Sequence, residues 1–202
     1  MNSLTIRPTY KGTAPSAPQQ NTAADRVGAP DDHVRFRNVV LPHLDDAYGL
    51  ARWLTGNRTD AEDVVQEACL RAFRSIGSFS NGNSRAWLLT IVRNAAYSWL
   101  LKNRPAAIVM VEDIEGVELA RPSDLDIETP ETAPIAKTDA RLLEAAIAAL
   151  PPPFRETLVL RDVHGLSYRE IAEVTGAPAG TAMSRLARAR GALIGIMAKN
   201  EK

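Results

Sequence analysis

Residues 167–190, SYREIAEVTGAPAGTAMSRLARAR, leave the chain little freedom of local structure. Ser167 and Glu170 have the Ser-x-x-Glu spacing in which each side chain satisfies an orphan backbone N–H at a helix start. Leu166, Ile171 and Val174 supply an apolar face, Gly176 suits the left-handed residue that ends a helix, and Pro178 suits the first turn of the next. Ala182, Leu186, Ala189, Leu193 and Ile196 then recur in steps of four and three, one buried stripe, while Thr181, Ser184, Arg185 and Arg188 fall on another face. Two short helices with a tight turn and a basic second helix predict a helix-turn-helix. Its apolar side packs inward while donors near its N-terminal end reach base edges and phosphates in the major groove of DNA. A solvated amphipathic pair would account for the arginines, but not for a capping box, a breaker and a basic face that agree.

A charge balance of 24 Lys+Arg against 24 Asp+Glu argues against nucleic acid only if the charge is evenly spread. Residues 35–104 carry ten basic and six acidic groups and residues 141–202 nine and six, whereas residues 105–140 carry two and nine. Two mildly basic blocks therefore flank an acidic connector, and segment charge governs association. The hydrophobic content of 45% is that of an ordinary globular protein. No apolar run is long enough to span a bilayer, and the first residues lack the apolar core of a secretory leader, so no membrane insertion and a cytoplasmic location are expected. The single cysteine, Cys69, rules out an internal disulfide and lies in an apolar helical pattern, which predicts a small core residue. His33, His43 and His164 are too scattered to suggest a metal site, and no cofactor is expected.

Residues 1–33, rich in Pro, Thr, Ala, Gln and Asn, read as a disordered tail. The first folded block is expected over 34–104. Leu44, Ala47, Ala51 and Leu54 form a helical stripe that ends at Gly56-Asn57. Thr59 and Glu62 repeat the capping-box spacing, and Ala61, Val65, Ala68, Ala72 and Ile76 make the buried stripe of a second helix. Asp63, Glu67, Leu70 and Arg74 lie on another of its faces. After the polar loop 77–83, Ser84 is expected to cap a third helix to about Asn103, with Trp87, Leu88, Ile91, Ala95 and Trp99 among its bulky or buried positions. Residues 105–138, with prolines at 105, 122, 130 and 134, read as a flexible acidic linker. The last block, 139–202, starts on Leu142, Leu143, Ala146 and Leu150, turns at Pro151–Pro153, and runs a helix from Phe154 to Val163 into the helix-turn-helix. No strand pattern rises above background, so the fold class is all-α: two small helical domains, the second with the helix-turn-helix.

Taken in order, DAEDVVQEACLRAFR at 60–74, SRAWLLTIVRNAAYSWLLKNR at 84–104, the acidic connector and LPPPFRETLVLRDVHGLSYREIAEVTGAPAGTAMSRLARAR at 150–190 resemble an extracytoplasmic-function sigma factor of the sigma-70 family. The resemblance covers about 155 residues and omits the N-terminal tail. It implies a bacterial transcription initiation factor, not itself a catalyst, that directs core RNA polymerase to promoter DNA and helps melt it. The implied polymerase contacts are the clamp of the largest subunit and the flap of the second-largest.

By the same resemblance, Asp63, Gln66, Glu67 and Leu70 match the positions that dock on the clamp coiled coil. Carboxylate and amide groups beside an apolar neighbour suit a basic partner helix. The minus-ten element would fall to the loop residues Ser80, Asn81 and Asn83 and to Trp87, Arg93, Asn94, Tyr97 and Lys102. A base leaving the stack needs a pocket, an aromatic surface and phosphate-binding cations, although Trp87 serves the core equally well. Ser98 stands where many members carry Asp, and Leu101 where many carry Arg, so the basic end of this helix rests on Lys102 and Arg104. Thr181, Met183, Ser184, Arg185 and Arg188 match the minus-thirty-five reader, Met183 standing where many members have a polar or basic residue, which favours apolar contact with thymine methyls. The acidic segment resembles the connector that threads the polymerase channel, or is a plain tether. An anti-sigma factor is the expected regulator.

Two other readings compete. A helix-turn-helix regulator with a sensory or interaction domain at its N-terminus should show a ligand pocket, a phosphate loop or a strand-rich sensor, and none is legible. A hydrolase or metalloenzyme should show a nucleophile with its base, or a ligand cluster, and none is visible.

Overall fold

The computed structural model describes residues 30–80, 82–105 and 135–200, which form helices and short turns with no strand among them. The expectations for residues 1–29 and 106–134, most of the tail and linker, lie outside the described residues. Helix α1 spans Pro30–Val39, α2 Leu44–Thr55, α3 Arg58–Ser75 and α4 Ser84–Asn103. The second block holds α5 Ile135–Ala148, α6 Pro152–Leu158, a π-helical turn over Val159–Val163, α7 Tyr168–Thr175 and α8 Ala179–Asn200. Both blocks therefore start about four residues earlier than expected, at Pro30 and at Ile135.

Helices α2, α3 and α4 pack on one another through small side chains. Ala47, Ala51, Ala61, Ala68, Ala72, Ala86 and Ala96 are all buried, and short side chains at the contact let helix axes approach closely. Leu50, Leu54, Leu88, Leu89 and Val92 fill the remaining space, each leucine contributing about 1.5–3 kcal/mol by its burial. Helix α4 buries the adjacent pairs Leu88-Leu89 and Ala95-Ala96, so no single stripe describes it. The reason is tertiary: α4 touches α2 and α3 on one side and α7 of the second block on another. The buried residues of both blocks form one continuous apolar cluster.

Several local expectations shift. Asn57, not Thr59, caps α3: its extended backbone places Oδ1 2.8 Å from the Asp60 N–H, directly after Gly56 ends α2 at φ +89°. A left-handed glycine followed by a strong N-cap makes the tightest joint available. Val64 is buried in α3 where Val65 was expected, and Val65 is half-buried. Asn83, not Ser84, caps α4 by accepting the Ala86 N–H at 3.0 Å, and the Ser84 hydroxyl pairs instead with His43 Nε2 at 2.9 Å. Leu142 and Leu143 are exposed, leaving Ala146, Ile147, Ala149 and Leu150 as the buried residues of that segment. The helix expected over 154–163 is α6 continued by the π-helical turn. The helix-turn-helix forms with the Ser167–Glu170 capping box, Gly176 left-handed at φ +70°, and Ala182, Leu186, Ala189 and Ile196 buried, while Leu193 of the expected stripe is only half-buried.

Candidate nucleic-acid interface

On α3, Asp63, Gln66, Glu67 and Leu70 are all exposed, and their spacing of three and four residues places them on one face. Leu70 is 53% exposed, an apolar residue held in water one turn beyond Gln66 and Glu67. Glu67 engages Arg71 at 2.8 Å, an exposed pair worth little energetically. Beside this face lies an apolar groove of about 450 Å³ lined by His33, Phe36, Gln66, Cys69, Leu70 and Phe73. Phe36 meets Phe73 edge to face at 5.5 Å. Cys69 lines the groove half-buried rather than sitting in the core, and burial pushes its thiol pKa up. The α1 contribution escaped sequence reasoning because His33 was assigned to the tail and Phe36 is far from Phe73 in the chain.

The loop before α4 forms an open cleft of about 330 Å³ whose lining includes Phe79, Ser80, Asn83, Trp87 and Thr90, together with Glu173 from α7. Three of the expected minus-ten residues, Ser80, Asn83 and Trp87, thus meet at one cavity, while Asn81 lies outside the described residues. Trp87 is half-buried and packs on Phe79 with ring centroids 4.8 Å apart, presenting an aromatic wall to the cleft. The Arg35 guanidinium holds the Phe79 carbonyl and so ties this loop to α1. Asn94 and Lys102 are exposed on α4.

Arg93 and Tyr97 point elsewhere. Arg93 Nε pairs with Glu156 Oε1, Tyr97 donates to Glu156 Oε2 at 2.9 Å, and the Arg93 guanidinium lies 4.4 Å from the Tyr97 ring centroid. Glu156 belongs to α6 and is fully buried. Desolvation raises its pKa against the pull of Arg93, and burial beside Glu156 drives the Tyr97 phenol up as well.

On α8, Met183, Ser184 and Arg188 are exposed, and Thr181 and Arg185 are half-buried. Ser184 donates to the Thr181 carbonyl at 3.0 Å. Arg185 lies near enough to Glu156 and Tyr97 to lower the pKa of both. Arg190, by contrast, braces α8 on the turn before α7 through a bidentate pair with Asp162 at 2.6 and 3.0 Å.

Three further polar junctions join the blocks, and sequence reasoning found none of them. Arg85 grips Asp46 through bonds of 2.7 and 3.0 Å and donates to the His164 carbonyl at 2.8 Å. The His164 ring meets Asp46 through Nδ1 at 3.1 Å, over Gly49, where a Cβ would stand 3.0 Å from His164 Cε1. The Arg85 bond holds Asp46 below the usual carboxylate range, while burial lowers the His164 pKa. Asn83 donates to Glu170 at 2.7 Å. Arg155 reaches the carbonyls of Trp53 and Leu54 in α2 and those of Ala148 and Leu150 in its own block.

Comparison with known proteins gives two family matches in chain order, Sigma-70 region 2 over residues 39–105 and Sigma-70, region 4 over residues 140–193. The ECF RNA polymerase sigma factor SigE of Mycolicibacterium smegmatis is 36% identical over 166 residues, 80% of this chain, which spans 61% of that protein's length. The RNA polymerase sigma-H factor of Pseudomonas aeruginosa is 34% identical over 179 residues, 87% of this chain and 92% of that protein. Among solved structures, the sigma factor RpoE from Bartonella quintana, in complex with the anti-sigma factor NepR, superposes with a TM-score of 0.61 at 29% identity, covering 80% of this chain and 96% of that one.

Proposed function

Because this chain belongs to the extracytoplasmic-function sigma factors of the sigma-70 family, we propose that it recruits core RNA polymerase to a specific class of promoters and assists their melting. The observation that carries the reading is the ordered pair of regions, the first exposing an acidic and apolar face on α3, the second exposing the N-terminal part of a recognition helix.

In this reading Asp63, Gln66, Glu67 and Leu70 dock on the clamp of the largest polymerase subunit, where opposite charge speeds encounter and Leu70 buries apolar area. The cleft of Ser80, Asn83 and Trp87 receives an unstacked minus-ten base, with Asn81 on the same loop, while Asn94, Lys102, Arg93 and Tyr97 follow the separated strand along α4. Thr181, Met183, Ser184, Arg185 and Arg188 enter the major groove at the minus-thirty-five element, and the second block also meets the flap of the second-largest subunit. The chain is not an enzyme: polymerase performs the chemistry and this protein positions it, in the cytoplasm. No described helix is long and apolar enough to cross a membrane. An anti-sigma factor is its regulator, as NepR is found bound to RpoE.

Adding the purified chain to core polymerase on fragmented genomic DNA and mapping the transcript 5′ ends tests this. Discrete new start sites sharing two upstream motifs are expected. An unchanged set of starts overturns the proposal.

A further inference from the structure

Arg190 is the third arginine of α8, after Arg185 and Arg188, and it lies beside the face assigned above to DNA. It follows Met183 by seven residues, which places it about 20° round the helix and roughly 10 Å further along the axis. The exposed arc of α8 takes in Met183, Ser184, Ala187 and Arg188, and Arg190 stands at its edge. A helix seated in a major groove about 12 Å wide has base edges before its leading turns and a row of phosphates along each flank. A side chain at the edge of the arc, two turns behind Met183, therefore meets backbone rather than bases. In this fold that side chain is already engaged. Arg190 donates through Nε and a terminal nitrogen to the two carboxylate oxygens of Asp162, at 3.0 and 2.6 Å, the two-pronged geometry that a guanidinium uses on a phosphate.

Asp162 belongs to the π-helical turn Val159–Val163, in which the His164 N–H reaches back five residues to the Val159 carbonyl at 3.0 Å. Single turns of this kind recur at functional sites. Holding α8 in place does not require the pair. The buried residues Ala182, Leu186, Ala189 and Ile196 fix the helix against its neighbours, and an exposed ion pair adds little beside them. What the pair changes is charge, because Asp162 both neutralises Arg190 and sets an anion beside the DNA face. We propose that Asp162 stands in for a phosphate: it withholds Arg190 from the DNA backbone and so lowers the affinity of α8 for duplex of any sequence. For Arg190 to reach a phosphate it must leave Asp162, stranding that carboxylate next to the phosphate row, so the internal pair is favoured. Recognition is then left to Thr181, Met183, Ser184, Arg185 and Arg188. The proposal rests on the assignment of α8 to duplex DNA.

Fluorescence anisotropy of the full chain on a randomised duplex of about 20 base pairs, between about 0.05 and 0.2 M salt, tests this. Asp162→Asn removes the charge at nearly constant shape. It should steepen the salt slope by about 0.9, which amounts to binding about fifteenfold tighter at 0.05 M salt and about fivefold tighter at 0.15 M. Arg190→Gln alone should leave the slope at its wild-type value, and adding it to Asp162→Asn should erase the steeper slope. Circular dichroism reports whether each variant is folded, and Asp162→Ser replaces Asp162→Asn if the latter is not. The proposal is overturned if the folded Asp162 variant keeps the wild-type slope, as a merely structural brace would. It is equally overturned if Arg190→Gln alone flattens the slope by about one, since Arg190 would then already serve a phosphate. Transcript 5′ ends mapped with core polymerase and the wild-type chain separate the causes. Discrete starts beside an unchanged slope remove only the role of Asp162, whereas a lack of new starts removes the sigma-factor reading with it.

Discussion

Arg155 offers the sharpest test of how the two blocks are held. Its guanidinium donates to the Trp53 carbonyl at 3.0 Å, the Leu54 carbonyl at 3.4 Å, the Leu150 carbonyl at 2.8 Å and the Ala148 carbonyl. Trp53 and Leu54 lie in the last turn of α2 and Ala148 ends α5, so three acceptors are helix-end carbonyls with no partner in their own helix. Burial pulls the Arg155 pKa down to about 10, still far above neutrality, so the group is charged and these carbonyls offset its desolvation. Arg155→Met keeps the aliphatic stem and removes every donor. Each stranded carbonyl costs roughly 1–3 kcal/mol, but the variant also avoids burying a charge, so the net loss should be about 3 kcal/mol. Arg155→Lys, whose ammonium cannot span two helix ends, should lose about 2 kcal/mol. Urea unfolding followed by circular dichroism measures this. Trp53, Trp87 and Trp99 all lie in the first block, so tryptophan fluorescence reports that block separately. Helicity should be lost ahead of the fluorescence change in Arg155→Met, whereas the two coincide in the wild type. A loss under about 1 kcal/mol with coincident curves would mean that water satisfies the carbonyls as well, and the clamp argument would fail.

Asp63→Arg with Glu67→Arg should abolish capture of core polymerase in pull-down while circular dichroism stays unchanged, since both side chains are exposed; undiminished capture in the folded variant refutes the docking face. Arg185→Ala should cost roughly 1–3 kcal/mol on cognate promoter DNA and relax one upstream position, and Arg188→Ala should weaken all sequences and lower the salt slope by about one, as titrations against single-base variants at two salt concentrations would reveal. His164 titrates below its ordinary value of 6.5 in the fold, so the folded state binds fewer protons than the unfolded one and stability falls as pH drops below 6.5. Asp46 is depressed, so its contribution is present above 3.8 and lost only as pH falls through its lower folded value, while raised Glu156 acts in the opposite sense to His164. His164→Gln should flatten the stability slope as pH falls below about 6.5, by up to about 1.4 kcal/mol per pH unit, in denaturation curves; an unchanged slope removes His164 from the linkage.

The helices, their order and the helix-turn-helix were legible in the residues because helical periodicity, glycine breakers and capping side chains act within a few residues of one another. Ser167, Glu170, Gly176 and the stripe Ala182, Leu186, Ala189, Ile196 needed nothing from elsewhere in the chain. The exposed face of Asp63, Glu67 and Leu70 followed from the same periodicity, and Gln66 was added to it by the family resemblance. The caps shifted by a residue or two: Asn57 rather than Thr59 starts α3 directly after the left-handed Gly56, and Asn83 rather than Ser84 starts α4 while the Ser84 hydroxyl goes to His43, 41 residues away. What α4 does with Arg93 and Tyr97 was not legible at all, because Glu156 in LPPPFRE reads as an ordinary helix-surface carboxylate until α6 is laid on α4. Burial of a charge is a property of what packs over it, and the partners of Glu156 lie 63 and 59 residues away along the chain, beyond the reach of any local pattern.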